Sequence, residues 1–203
     1  MLKAREIIPE KAEIGAGLAL IDGKDYIFFL AGSRYNCPPK EIFFAGIGGH
    51  LEQGESLLQC AQREAAEEAE LEIEIQDSHP TLFISREGEI QTIQAEERIR
   101  PWILYKMVHP PGTPQAGKDY YIFIFRAGMK NFPGNLHPEE ISGLIALPPR
   151  EVIKSLEGKR KWRDFKKAGA RVIAGGEKLT EETLLYPLGT ARALAIVLYR
   201  LGG

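Results

Sequence analysis

Three glutamates near the middle of the chain most strongly constrain its local structure. Glu64, Glu67 and Glu68 stand at positions i, i+3 and i+4, a spacing that places three side chains on one face of an α-helix. Carboxylates this close repel one another by roughly 0.2–0.5 kcal/mol per pair, so the face needs open solvent or a bound cation. Mg²⁺ and Mn²⁺ prefer oxygen ligands and often share them with substrate phosphates. The spacing therefore indicates phosphate-ester chemistry.

Two further charged residues extend this pattern. Arg63 is adjacent to the cluster, and its planar guanidinium can hold a carboxylate in one orientation. Glu55 lies just before an apolar run, which predicts a position in the first turn of the helix, where negative charge suits the helix dipole. On spacing alone, a solvated acidic helix remains the alternative.

The complete spacing over residues 49–71 resembles the signature of the Nudix hydrolases. That signature is Gly, five residues, Glu, seven residues, Arg-Glu, an aliphatic residue, any residue, Glu-Glu, any residue, Gly and an aliphatic residue. The matching positions are Gly49, Glu55, Arg63, Glu64, Ala65, Glu67, Glu68 and Leu71. Glu70 stands in place of the second Gly, which accepts the left-handed conformation of a helix C-cap more easily. This departure affects the helix end and removes no expected ligand.

The resemblance implies an α/β (α+β) fold, an α/β/α sandwich around a mixed β-sheet. The sequence around the motif fits, because a hairpin signal at Asp22-Gly23 joins two apolar segments and a later strand over residues 41–47 runs into Gly48-Gly49. Further strands are predicted at residues 71–75, 81–85, 102–108, 120–126 and 144–147, and helices at 150–157 and 188–201. Residues 86–100 remain ambiguous between a hairpin and a short helix.

The resemblance also assigns roles to the motif residues. It implies a hydrolase that cleaves the pyrophosphate of a nucleoside diphosphate linked to another moiety, with Mg²⁺ or Mn²⁺ as cofactor. Glu64, Glu67 and Glu68 are the expected metal ligands, with Glu55 as a supporting ligand. Arg63 is expected to orient a glutamate.

Other roles in the expected reaction are less specific. The general base is left open between Glu64, Glu67 and Glu140, which lies in a later acidic loop. Gly48 and Gly49 would let the backbone turn sharply and approach a bound phosphate. The substrate is expected to be a small nucleotide, with a slight preference for ADP-ribose-like compounds because the chain exceeds a minimal family domain. The alternative is a catalytically silent nucleotide sensor on the same fold.

Composition bounds the organisation of the chain. Its 203 residues favour one domain with an appendage, divided here into a catalytic domain over residues 1–157 and a helical extension over residues 158–203 packed on it. The net charge of −2 does not indicate nucleic acid as a partner. Residues 158–167 carry six basic residues and one acidic residue, and we expect them to form a solvated helix face with buried aromatics. The alternative is a patch that attracts a polyphosphate or nucleic acid, with Trp162 and Phe165 stacking on a base.

The remaining signals concern location and metal binding. Cys37 and Cys60 fit no zinc or redox spacing, which favours a reducing compartment. No signal peptide or membrane-spanning segment is predicted, so the cytoplasm is the expected location. The four histidines are scattered among loops and are not predicted to be ligands. Family members are often dimers, which makes a homodimer a further possibility.

Overall fold

A mixed β-sheet with helices on both faces forms the fold, in a computed structural model that describes residues 2–109 and 116–202. The helices are α1 (Ala4–Ile7), α2 (Leu57–Ala69), α3 (Pro149–Lys154), α4 (Trp162–Lys167) and α5 (Gly189–Leu201). The strands are β1 (Glu13–Asp22), β2 (Asp25–Ala31), β3 (Glu41–Ala45), β4 (Gly48–His50), β5 (Ile73–Gln76), β6 (Thr81–Ile84), β7 (Ile90–Ile93), β8 (Ile103–Val108), β9 (Asp119–Met129), β10 (Ile141–Leu147), β11 (Arg160–Lys161), β12 (Arg171–Gly175) and β13 (Leu184–Pro187). Single turns of 3₁₀-helix cover Ser33–Tyr35 and Ser155–Glu157.

Strand β1 lies at the centre of the sheet. It pairs with β9 in parallel and with β2 and β4 in antiparallel orientation. The sheet continues from β2 to β3 and β10, and from β9 to β8 and β5. The predicted hairpin is present, because Asp22 pairs with Asp25 across a turn in which Gly23 has a φ of +62°.

Alternating side chains divide the core into two layers. Along β9, Tyr121, Phe123 and Phe125 pack on the face that α2 covers. The intervening Ile122 and Ile124 pack on the opposite face, together with α5. Because successive residues of a strand point to opposite faces, one strand contributes to both layers. The predicted α/β/α sandwich with a mixed sheet is confirmed.

The motif helix α2 begins at Leu57, after Glu55. Ser56 is its N-cap: the Ser56 hydroxyl accepts a hydrogen bond from the Gln59 amide at 3.3 Å, and the Gln59 side chain accepts one from the Ser56 amide at 2.9 Å. Glu55 therefore precedes the helix, and its predicted place in the first turn is wrong. The face toward the sheet is built mainly from the small residues Cys60, Ala61, Ala65 and Ala69.

Glu70 ends α2 in the left-handed conformation, with φ 50° and ψ 37°. Two asparagines support this unusual cap. The Asn131 side chain donates to the Glu70 carbonyl at 2.9 Å and accepts from the Glu72 amide at 2.7 Å. Asn135 donates to the Glu70 carboxylate at 3.3 Å. The helix thus ends at the position where the family signature has Gly, with side chains from a distant loop in support.

The C-terminal residues contribute strands as well as helices. Strand β13 pairs in parallel with β3, with Leu184 opposite Glu41, and β12 pairs with β10. The ambiguous residues 86–100 include β7, which forms a hairpin with β6. The Pro and Gly residues of residues 109–119 predict a loop long enough to border a site, and residues 110–115 of that segment lie outside the described ranges.

The basic segment at residues 158–167 is paired with acidic side chains. Lys161 and Arg163 both contact Glu182 at 2.6 Å. Trp162 and Phe165 are buried, at 4% and 0% exposure. As expected, the aromatics belong to the core rather than to an open binding surface.

Candidate active site

Arg63 connects the charged residues of the motif. Its guanidinium donates to both oxygens of Glu55 at 2.9 and 3.1 Å, to Glu64 at 2.8 Å and to Glu67 at 3.1 Å. It also donates to the His50 carbonyl at 3.2 Å. Hydrogen bonds from Arg63 hold the pKa of Glu55 below its usual range. One cation thus contacts three of the four predicted acidic ligands, and the role of Arg63 in orienting a glutamate stays a prediction.

Glu68 is the most buried of these carboxylates, with 3% of its surface exposed. Burial, together with the nearby carboxylates of Glu64 and Glu140, raises its pKa to about 9, while the Gly48 amide acts in the opposite direction. Burial also raises the pKa of Glu64. Oxygen Oε2 of Glu68 has no hydrogen-bond partner among the described residues. The helix therefore presents a buried acidic group with one oxygen unpaired within the described part of the chain.

Glu140 reaches the same place from the loop before β10. Its carboxylate pairs with Arg34, and Arg34 also donates to the Tyr35 hydroxyl at 2.9 Å. Two backbone hydrogen bonds align the loops, from Gly32 to the Glu140 carbonyl at 2.8 Å and from Arg34 to the Glu139 carbonyl at 3.0 Å. A Cβ atom at Gly32 would lie 2.4 Å from the Glu139 carbonyl oxygen. The absence of a side chain there permits the approach that brings Glu140 beside Glu68.

Gly48 and Gly49 form β4 next to these glutamates. Gly48 has a φ of +152°, and a Cβ atom there would lie 2.2 Å from the Ala16 carbonyl oxygen. A Cβ atom at Gly49 would lie 2.1 Å from Oε1 of Glu64. Gly48 requires glycine, since a side chain there would meet the backbone of the neighbouring strand, whereas a side chain at Gly49 would have to displace the Glu64 carboxylate.

The donor set suits a hard divalent cation. Glu64, Glu67 and Glu68 offer carboxylate oxygens, the ligands that Mg²⁺ takes together with water or phosphate. Glu64 and Glu67 each direct a carboxylate oxygen at Arg63. Groups of described His, Cys, Asp and Glu residues whose ligand atoms all lie within 4.8 Å of one another do not include these three glutamates. The unpartnered oxygen of Glu68 is the group that a cation would satisfy. These residues fit a divalent ion, and their assignment as ligands stays a prediction.

A pocket of about 530 Å³ adjoins the motif at Gly48 and Gly49. Its wall is mainly apolar and includes the aromatic residues Phe29, Tyr35, Phe43, Tyr120 and Tyr186. A cavity of this size and character is typical of small-molecule sites. Its position next to the glutamates makes it the candidate substrate pocket.

Sequence reasoning did not identify Arg34 and Tyr35 as part of this site. They lie in residues 32–40, a segment with Gly, Asn and two Pro residues that the sequence predicts only as a loop contributing to substrate choice. No local signal distinguishes them, because their partner Glu140 is 106 residues away in the chain. Only the pairing of β2 with β10 brings the two loops together.

A family model described as the NUDIX domain matches residues 11–167. The chain belongs to the Nudix family. This confirms the family that the motif resembles, and the protein is a Nudix-type hydrolase. No curated protein matches this Nudix chain.

Solved Nudix structures share its fold at low sequence identity. A Nudix-family hydrolase from Clostridium perfringens is 12% identical, with 94% of this chain and 97% of that chain covered and a TM-score of 0.50. A NUDIX hydrolase from Nitrosomonas europaea is 17% identical, with coverages of 70% and 76% and a TM-score of 0.46.

In the described part of this Nudix chain, no helix has both the length and the apolar character needed to span a membrane.

Proposed function

We propose that this Nudix hydrolase cleaves the pyrophosphate of a nucleoside diphosphate linked to another moiety, with Mg²⁺ or Mn²⁺ as cofactor. The observation that carries the proposal is the buried Glu68 carboxylate, crowded by Glu64 and Glu140 and located beside a ligand-sized pocket. Acidic groups in this arrangement gain most from a bound cation and its phosphate ligands.

Each charged residue has a proposed role. Glu64, Glu67 and Glu68 would hold the divalent ion, with Glu55 in support. Arg63 orients Glu55 and Glu64 through the hydrogen bonds described above. When bound, the ion supplies charge neutralisation on the phosphoryl oxygens and acidifies a water molecule.

The general base is proposed to be one of Glu64, Glu67 and Glu140. Glu67 is the most accessible of the motif glutamates, with 61% of its side chain exposed, whereas 13% of Glu64 is exposed. Glu140 is kept in place by its ion pair with Arg34. A pH profile of turnover for variants of these three residues separates their contributions.

The apolar pocket supports a substrate with an uncharged, flat group attached to the diphosphate. Aromatic rings such as those of Tyr35 and Tyr186 can stack on a base. Such stacking accepts any of the bases and contributes about 1–3 kcal/mol per base. An ADP-ribose-like compound combines such a base with a diphosphate and remains the slightly preferred substrate. The proposal also includes a cytoplasmic location and assembly into a homodimer. It does not include nucleic acid as a partner.

A panel of nucleoside diphosphate derivatives tests the proposal. Purified protein is incubated with each compound in Mg²⁺, Mn²⁺ or EDTA, and products are separated by chromatography. We expect metal-dependent release of two monophosphates from at least one compound. Tight nucleotide binding without turnover of any compound would instead support the sensor alternative.

The substitution Glu67→Gln tests the assignment of Glu67 as a metal ligand. We expect it to reduce metal-dependent turnover by at least about 100-fold, because an amide cannot replace the charge of a carboxylate ligand. Glu74→Gln is the control, since Glu74 is an exposed residue of β5 and undergoes the same chemical change. Both variants should retain the circular dichroism spectrum of the parent. Near-normal turnover in Glu67→Gln would contradict the assignment.

A further inference from the structure

Glu13, His50 and His109 form a second group of potential metal ligands, outside the motif glutamates. Oε2 of Glu13 lies 3.0 Å from Nε2 of His109 and 3.7 Å from Nε2 of His50. One ligand atom from each of the three residues lies within 4.8 Å of the others. The three side chains thus converge on one point.

The sheet brings these residues together from distant parts of the chain. Glu13 begins β1, His50 ends β4 and His109 follows β8 directly. In the register of the sheet, His50 pairs with Gly15, and Glu13 pairs with Tyr120. No local pattern predicts these histidines as ligands, because 37 and 59 residues separate the successive positions.

Tyr120 orders the two imidazole rings. Its ring centroid lies 4.6 Å from that of His50 and 4.8 Å from that of His109, and the two imidazole planes differ by only 7°. The Tyr120 hydroxyl donates to the Gly49 carbonyl at 3.1 Å and occupies the space beside Gly15, where a Cβ atom would lie 1.9 Å from it. The rings are therefore held in a fixed arrangement, which lowers the cost of ordering ligands around an ion.

We propose that Glu13, His50 and His109 bind a divalent transition metal ion of the zinc class. Imidazole nitrogen suits Zn²⁺, Co²⁺ and Ni²⁺, whereas the all-oxygen motif glutamates suit Mg²⁺. Metal–ligand distances of about 2.0–2.1 Å in tetrahedral geometry place the ligand atoms about 3.3 Å apart. The two distances from Glu13, 3.0 and 3.7 Å, bracket that value, and the ligand atoms of the two histidines lie within 4.8 Å of each other, so modest side-chain shifts bring the set to this geometry.

The surroundings permit entry of an ion and leave it an open position. The His50 side chain is 56% exposed, and His109 and Tyr120 line the substrate pocket. Lys118 contacts Oε1 of Glu13 at 3.6 Å, leaving Oε2 directed at the histidines, and its 62% exposed side chain can move into solvent. Three protein ligands leave a four-coordinate ion one position for water or an anion. The site would therefore place a second kind of metal at the pocket.

Cobalt binding tests this proposal without reference to activity. Protein with the substitution Glu67→Gln is titrated with Co²⁺ in excess Mg²⁺, and the visible absorption of the Co²⁺ complex is recorded. We expect one Co²⁺ equivalent per chain, displaced by Zn²⁺. Adding Glu13→Gln or His50→Gln should weaken Co²⁺ binding by about 10-fold or more. His137→Ala is the matched control, since His137 is an exposed loop residue.

Each outcome decides the proposal separately from the proposed hydrolysis. Weak or absent Co²⁺ binding in the Glu67→Gln background would overturn it, as would a Co²⁺ affinity that Glu13→Gln and His50→Gln leave unchanged. Glu13→Gln keeps the size of the side chain while removing its charge, and His50→Gln replaces the imidazole with a polar side chain of comparable length. Circular dichroism and thermal unfolding identify any loss of Co²⁺ binding that misfolding causes. If one of the two variants misfolds, the other gives the decisive comparison. Turnover of nucleotides in the parent enzyme does not enter the result.

Discussion

At the scale of single residues, Glu68 combines deep burial with close neighbours of the same charge. Its pKa of about 9 in the metal-free protein lies well above the ordinary value of 4.5. Between these two values the folded protein binds one more proton than the unfolded chain. The free energy of unfolding must therefore fall as the pH rises through this window. Above about pH 9 the penalty is complete, and below about pH 4.5 it is absent.

Glu68→Gln should remove this pH dependence. In EDTA we expect the parent to lose stability between pH 5 and pH 9, by at most about 1.4 kcal/mol per pH unit, and the variant to lose much less. Mg²⁺ should stabilise the parent and have little effect on the variant, because the variant lacks a charged ligand. Urea denaturation at pH 5, 7 and 9, with EDTA or Mg²⁺, measures both effects. Parallel pH curves for the two proteins would show that Glu68 is not the responsible group.

At the scale of elements, the end of α2 depends on a side chain from another part of the chain. Asn131→Ala removes two hydrogen bonds, one to the Glu70 carbonyl and one from the Glu72 amide. We expect a loss of about 1–2 kcal/mol in the free energy of unfolding, since a non-glycine residue in the left-handed conformation would lose its support. Urea denaturation provides the measurement.

Asn135→Ala is the control for this prediction. Asn135 makes a single, longer hydrogen bond of 3.3 Å to the side chain of the same glutamate. Its removal should change the free energy of unfolding by less than about 0.5 kcal/mol. Equal effects of the two substitutions would mean that Asn131 does not specifically support the cap.

The elements also show what local sequence can predict. The motif helix, the β1–β2 hairpin and the C-terminal helix follow from periodicity and turn residues, and the structure confirms them. Glu55 was misplaced because Ser56, a better N-cap, starts the helix after it. The contact of Arg34 with Glu140 depends on strand pairing across 106 residues, which no local pattern contains. Strand β13 was missed for the same reason, since its partner β3 is distant in sequence.

At the scale of the whole molecule, the C-terminal residues are part of both the sheet and the core. Strand β13 extends the sheet beyond β3, and the buried residues of α5 include Ala191, Leu194 and Val197. Burying one Leu or Val side chain fully contributes about 1.5–3 kcal/mol. Several such contributions together are comparable to the free energy of unfolding of an ordinary domain.

A chain that ends after Glu157 should therefore fail to fold. We expect it to lack a cooperative thermal transition and to aggregate, because the edge of β3 and one face of the sheet would lose their cover. A chain that ends after Leu201, the last residue of α5, is the control and should retain the melting temperature of the parent. Differential scanning calorimetry compares the three proteins. A cooperative transition in the shorter chain would contradict the prediction.

The parallel pairing of β13 with β3 has a consequence for how such an enzyme diversifies. After β13 the chain passes Leu188 and enters α5, so Tyr186, Leu188 and Thr190 line the pocket although they are more than 100 residues beyond the motif. Substitutions there can reshape the walls that meet a ligand while leaving every charged group of the motif unchanged. This part of the pocket wall and the charged groups of the motif are thus encoded in separate stretches of the gene, and one can vary under selection while the other stays constant.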